Sequence, residues 1–479
     1  MPHEKKMSLN IANVKDKIAE KIFCGGIIHT MTKENPVVEA VACAGGKIIA
    51  AGNLDYVNQF SDEDTETINL DGKYMFPGFI DAHSTFVLEL FKDRYLNIDP
   101  VWDLDTILRE VRDYCVDQED EDVIFGYGFN AKELEDYPDL EDWLEMLDEA
   151  SSEKTIVLLA NDGMTLWLNT VAADILDATM EDNDLEYISP VHALSILLDF
   201  DVANLAEDFG ELAEKWAERG FTSVFNLYSP EYMDQMTMQV MDYRTGESEP
   251  VLQRFMTSTY INAEVMPEGV KQLLMAKKAH CKSYDGLLFA DFLKLQLLDC
   301  DDMDTISPEL AEEMCMVVAE AGFNIHIDAY DKPSTRIAYK IYNDIREKGF
   351  AENTLVLATD HKPDKDFIDS IEHKDSIVLT RATAFCQESA VKYSNSIAGA
   401  IELLTVRAAE ITGMSDHIGT IEEGKYADFV IFTENPFQLT LREFSRLESD
   451  AIVLDGDIIY DVEFDNLQTL YGAVLGSPM

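Results

Sequence analysis

From about residue 76 to residue 411, short apolar runs of strand length alternate with stretches in which apolar residues recur every three or four positions. Alternation of that kind sustained over 300 residues builds a parallel sheet covered by helices, because parallel strands need a crossover between them. The strand candidates are FPGFI (76–80), DVIFGYG (122–128), TIVLLA (155–160), TSVFN (222–226), FLKLQLL (292–298), FNIHI (323–327), TLVLA (354–358) and SIVLT (376–380). Helical periodicity is clearest over 138–150, 203–219, 308–321 and 335–348, and Pro308 followed by Glu309 and Glu312 suits a helix start. About eight strands favour a TIM-like (β/α) barrel over an open doubly wound sheet, and no GxGxxG follows an early strand to support dinucleotide binding.

The two ends of the chain read differently. KIFCGGIIHT (21–30), AVACAGGKIIAAG (40–52) and TINLDGKYMFPG (67–78) alternate short apolar runs with Gly-Gly or Asp-Gly turns, and GKYADFVIF (424–432) and AIVLDGDIIYD (451–461) repeat the pattern. The sequence therefore predicts an α/β protein in two parts. Residues 18–75 and 412–479 form a small composite β-sandwich from both chain ends, and 76–411 form the barrel, with extra material at about 85–150 read as a cap insertion.

Composition narrows the function. Ninety-two acidic residues against 37 basic ones give a net charge of −55, spread along the chain apart from short runs such as Asp117–Asp122 and Asp299–Asp304. Such an acidic surface repels nucleic-acid phosphates and anionic lipid, which argues against both as partners. No apolar run approaches membrane-spanning length, and Met1 to Lys17 has no apolar signal stretch, so a cytoplasmic location is expected. The seven cysteines are scattered without a CxxC pair and read as small buried apolar groups. The sequence leaves assembly open and is compatible with a homo-oligomer.

In a parallel barrel, chemistry gathers where strands end. His83 follows FPGFI, Lys294 lies within FLKLQLL, His326 lies near the end of FNIHI, and His361 follows TLVLATD. Neutral imidazoles on separate strands can converge on a divalent metal such as zinc. Lys294 would join them as a ligand only if its amine were carboxylated; unmodified, it would pair with an acid. Asp328, Asp331 and Asp360 stand near the histidines, which means little among 92 acids. His192, His280, His373 and His417 fall in helix-like or loop contexts and read as structural or surface groups.

These residues also carry a resemblance. PGFIDAHS (77–84) resembles the first barrel strand of the amidohydrolase superfamily, and IGTIEEGKYADFVIFTENPF (418–437) resembles its C-terminal signature. The layout is closest to the YtcJ-like branch, which includes N-substituted formamide deformylases. NDGMTLWLNT (161–170), GFTSVFN (220–226), FLKLQLL, NIHIDAYD (324–331) and ATDHKP (358–363) are similar to further segments of that branch. The resemblance implies a divalent metal, usually zinc, held by His83, Lys294, His326 and His361. It also implies hydrolysis of an amide-type, non-peptide C–N bond in a small molecule. The sequence departs from the family at Thr85, where a second histidine is usual, at Met164, which follows Gly163 where the family has histidine, and in lacking a recognisable final-strand aspartate. SIVLTRAT (376–383) offers Thr380-Arg381 where Ser-Asp is usual if it is the last strand. The set of ligands is thus degenerate, and the alternative is a family member that has lost metal chemistry and serves as a ligand-binding or regulatory protein.

Overall fold

The computed structural model describes residues 18–84, 90, 95–98, 101–134, 140–160, 165–179, 190–198, 202–227, 231–246, 251–261, 266–284, 286–297, 306–329, 331–361, 363–380 and 387–462. Thr85, Met164 and Arg381, which bear on the departures from the family pattern, lie outside them. The chain divides into two compact units, one comprising 1–84, 213–229 and 248–479, the other 85–212 and 230–247.

In the first unit the two β-rich ends pair into one eight-stranded sheet. The N-terminal part supplies β1 (Lys21–His29), β2 (Val37–Ala44), β3 (Lys47–Gly52), β4 (Glu66–Asn69) and β5 (Tyr74–Pro77). Gly45 and Gly46 join β2 to β3, both at positive φ, the conformation a two-residue hairpin requires.

A second sheet in this unit begins with β6 (Phe79–Ser84), immediately after β5. In the second unit, β7 (Leu96–Asn97), β8 (Val123–Phe129), β9 (Thr155–Ala160) and β10 (Leu166–Leu168) form a four-stranded sheet of their own. Its core gathers Ile107, Val111, Ile124, Ile156, Leu158 and Trp167. Two of the eight strand candidates, 122–128 and 155–160, therefore belong to this sheet and not to the barrel-like one. The reason is physical. A parallel strand buried on both faces is apolar throughout wherever it sits, so its sequence does not name its partner.

The chain then returns to the first unit with β11 (Phe221–Asn226), β12 (Arg254–Tyr260), β13 (Leu288–Leu297), β14 (Asn324–Ala329), β15 (Leu355–Ala358) and β16 (Val378–Thr380). With β6 they make a seven-stranded sheet in the order β16-β15-β14-β13-β12-β11-β6, parallel at every pairing. This is a mixed α/β fold whose parallel sheet is curled as in a half-barrel. β12 has no counterpart among the strands predicted from sequence. Its residues RFMTSTY are half polar, yet Arg254, Thr257, Ser258 and Thr259 are all buried, so a search for apolar runs passes over it.

The curled sheet positions chemistry by its two-residue side-chain period. Leu293, Leu295, Ile325, Ile327, Leu355 and Leu357 pack into the core shared with the helices Pro267–Cys281, Pro308–Glu320 and Lys332–Glu347. The intervening residues, Lys294, His326 and Val356, face the other way and sit side by side in register. The Tyr342 hydroxyl donates to the Val356 carbonyl at 2.6 Å and ties helix Lys332–Glu347 to this layer. Asp331 caps that helix, accepting from the Ser334 N–H at 2.7 Å, which gives it a structural role.

The C-terminal strands β17 (Phe429–Phe432), β18 (Ala451–Leu454) and β19 (Asp457–Asp461) complete the first sheet, in the order β19-β18-β17-β5-β1-β2-β3 with β4 on β1. β17 pairs antiparallel with β5, so the far ends of the chain meet directly. The β18–β19 hairpin turns on Asp455-Gly456, both at positive φ.

Candidate metal centre

Three of the four candidate ligands share one neighbourhood. Lys294 on β13 pairs in register with His326 on β14, and Asp328 follows two residues later on the same strand face. The Lys294 Nζ lies 2.5 Å from Asp328 Oδ1, and His326 Nε2 lies 3.0 Å from the same oxygen. Lys294, His326 and Asp328 are all buried. His83, at the end of β6, feels the charges of Lys294, Asp328 and His326. Its backbone N–H donates to Asp81 Oδ1 at 3.0 Å, which fixes the strand end from which the ring projects.

The charge states follow from burial and from one ion pair. Burial pulls the His326 imidazole down to about 4, with the Lys294 charge adding to the effect and Asp328 opposing it. The His83 ring is lowered to about 4 in the same way, by burial first and then by Lys294. Both are neutral near pH 7. Burial alone would raise the Asp328 carboxyl, but Lys294 and His326 more than offset this and hold it well below the usual carboxylate range. Burial lowers Lys294, and the facing carboxylate opposes that shift. At 2.5 Å the pair is a carboxylate against its ammonium counter-ion, although the angle is not that of a hydrogen bond.

Neutral His326 has one nitrogen on Asp328 and the other, Nδ1, buried without a hydrogen-bond partner. With the proton on Nε2 the ring donates to the carboxylate and its Nδ1 lone pair is left for an acceptor of electrons. A buried polar atom without a hydrogen bond costs roughly 1–3 kcal/mol, which a bound electron acceptor would offset. Against a preformed cage, no group of three or more His, Cys, Asp or Glu side chains able to hold a metal is found among the described residues. The imidazoles of His83 and His326 could hold a single ion, with Lys294 paired to Asp328.

His361 lies in the loop after β15. Three residues beyond β15, it lines a cleft of about 540 Å³ with Tyr339, Thr359, Asp360, Pro363 and Thr380. Its backbone N–H donates to Thr359 Oγ1 at 3.1 Å. Asp328 is the residue that sequence reasoning did not separate from its neighbours. The usable signal was the strand period, which puts 326 and 328 on one face while Asp331 falls beyond the strand.

Comparisons with known proteins bear on the family and the fold. Two profiles, each described as amidohydrolase family, match residues 66–193 and 306–458. YtcJ of Bacillus subtilis (strain 168), assigned as an amidohydrolase, is 30% identical over 24% of this chain and 22% of its own. The N-substituted formamide deformylase of Arthrobacter pascens is 24% identical over 31% of this chain and 28% of its own. A metal-dependent hydrolase of uncharacterised activity from Pyrococcus furiosus superposes with a TM-score of 0.57 at 15% identity, covering 87% of this chain and 99% of that one, a likeness of fold. The chain belongs to the amidohydrolase superfamily. Its matches span 22% to 36% of the lengths of YtcJ, the formamide deformylase and the exoenzymes regulatory protein AepA of Pectobacterium carotovorum subsp. carotovorum.

Proposed function

We propose that this protein is a metal-dependent hydrolase of an amide-type, non-peptide C–N bond in a small molecule, with one divalent ion, zinc by preference, held by His83 and His326. The observation that carries this reading is the unpartnered Nδ1 of the fully buried His326, beside a second neutral imidazole. Asp328 fixes the His326 tautomer, and Lys294 keeps that carboxylate ionised. His361 would complete the set from its loop. When bound, such an ion lowers the pKa of water and polarises a carbonyl. The cleft beside His361 has the volume of a small-molecule site. This reading takes the curled sheet as the described part of a closed barrel and the chain-end sheet as its β-sandwich companion. The names of the formamide deformylase and of the Pyrococcus hydrolase support the reaction class and the metal requirement.

A second reading, a ligand-binding protein that has lost metal chemistry, is favoured by one observation: Lys294 is spent on Asp328 and not offered as a ligand. Elemental analysis separates the two. Protein produced with added zinc is expected to hold about one ion per chain and to lose hydrolysis of simple amides on chelation. Metal-free protein under those conditions, retaining its ligand after joint His326→Ala and His361→Ala substitution, would establish the second reading.

A further inference from the structure

The hydrolase reading leaves open which side chains meet the substrate, and the ladder of residues on β12, β13 and β14 bears on it. Tyr260 on β12 pairs in register with Lys294 on β13, and Gln296 on β13 pairs with Asp328 on β14. With a side-chain period of two, Tyr260, Lys294, Gln296, His326 and Asp328 share one face of the sheet. Lys294, His326 and Asp328 are buried, whereas Tyr260 and Gln296 are partly exposed. Toward the N-terminal strand ends this face is filled. Phe292, one period before Lys294, packs with Phe225, Met256, Ala408, Ala409 and Ile411 in an apolar core. A small molecule bound at His326 therefore lies toward the C-terminal strand ends, against Tyr260 and Gln296.

The Tyr260 hydroxyl donates to Gln296 Oε1 at 3.4 Å. That bond engages the carboxamide oxygen on the tyrosine side and turns the Nε2 donors away from the ring. Across the sheet from Gln296 the same rung continues through Asp328, Ala358 and Thr380. Its single charge, on Asp328, is already matched by Lys294. We infer that Gln296 determines specificity by donating from Nε2 to an oxygen of the substrate, with Tyr260 as the positioning residue for that carboxamide, and that the substrate is an uncharged amide. The inference deepens the hydrolase reading and rests on it. A neutral carboxamide offers a carboxylate no counter-charge for the water it sheds, while an uncharged oxygen sheds little and gains one bond. The net charge of −55 adds a field that opposes anions.

The test is ligand-observed NMR on the full-length protein after chelation, so that binding is read without turnover. Two probes are compared: N-benzylacetamide, an uncharged amide, and hippurate, an amide that bears a carboxylate. Wild type is expected to bind N-benzylacetamide about tenfold more tightly than hippurate. Gln296→Leu should weaken N-benzylacetamide about fivefold, the worth of one neutral hydrogen bond. Tyr260→Phe should weaken it in wild type and change nothing further in Gln296→Leu. Gln296→Lys should reverse the order of the two probes, which a merely structural role would not do. Equal or absent binding of both probes by wild type would overturn the inference, as would a folded Gln296→Leu that binds N-benzylacetamide unchanged. Should the Gln296 variants fail to fold, the order of the probes in wild type still decides. Metal content of unchelated protein, produced with added zinc, separates the two levels. A metal-free wild type that keeps the expected order sinks the hydrolase reading and leaves the Gln296 assignment standing; a metal-loaded one that binds both probes alike does the opposite.

Discussion

Two buried charge clusters in the same unit are handled in opposite ways. At the start of β12, Arg254 is wholly buried and fully used. Its Nε and Nη2 donate to the two oxygens of Asp428 at 3.0 Å each, Nη2 also donates to Asp455 Oδ1 at 2.7 Å, and Nη1 donates to the Gly286 carbonyl. The Tyr426 ring lies 3.6 Å from the guanidinium carbon. Burial alone would lower the Arg254 pKa, and the two carboxylates more than reverse that. Toward the other ends of the strands, Lys294, Asp328 and His326 are as deeply buried but leave an imidazole nitrogen open. A closed network is a structural joint, because nothing is left to react. An open one in the same fold is the place to look for function.

The largest effect should come from opening the closed cluster. Arg254→Met strands the Asp428 carboxylate without its partner and is expected to cost about 3–5 kcal/mol in urea unfolding. The metal content of the folded fraction should not change. A loss below about 1 kcal/mol would erase the contrast between the clusters.

A smaller loss is expected from Lys294→Met, about 2–3 kcal/mol, because Asp328 keeps its bond from His326. Adding Asp328→Leu should restore much of it, since replacing a buried pair by apolar groups is often neutral. A double variant no more stable than the single would show that the ion pair is itself a net source of stability.

The third effect is acid sensitivity. In the folded chain His83 and His326 sit near 4, below the 6.5 of an ordinary imidazole, so the unfolded chain binds more protons between those values. Stability of the chelated protein is therefore complete above about 6.5 and falls as pH drops toward 4, by roughly 1.4 kcal/mol at most for each unit of pKa difference. The Asp328 carboxylate is lowered as well, and its contribution is lost only at still lower pH. Replacing His326 with Asn should flatten the slope; an unchanged slope would place the titration elsewhere. The smallest effect is expected at exposed pairs. Arg112→Ala, which loses a contact of 3.9 Å to Glu149, should change stability by about 0.5 kcal/mol or less.

The same contrast explains what the sequence made legible. His83, Lys294 and His326 were visible because each is a polar residue set in or after an apolar strand. The helices Pro308–Glu320 and Lys332–Glu347 were visible because a strong apolar period and a cap coincide. Hidden were the features that depend on partners. β12 reads as polar, since Gln253, Arg254 and Ser258 find buried partners in other segments: Gln253 the Ala213 carbonyl, Arg254 the Asp428 carboxylate and Ser258 the Leu227 carbonyl. Strands 122–128 and 155–160 read as barrel strands because their sequences do not encode which sheet receives them. His361 follows the predicted strand and lines a cleft with Thr359, Asp360 and Thr380. Asp328 was one acid among many until the register put it against Lys294 and His326.

The most direct test of the open cluster is the divalent-metal content of wild type and His326→Ala, each produced with added zinc and checked for folding. The account predicts about one ion per chain in wild type and little or none in the variant. Equal occupancy in both, or a wild type without metal, would contradict it.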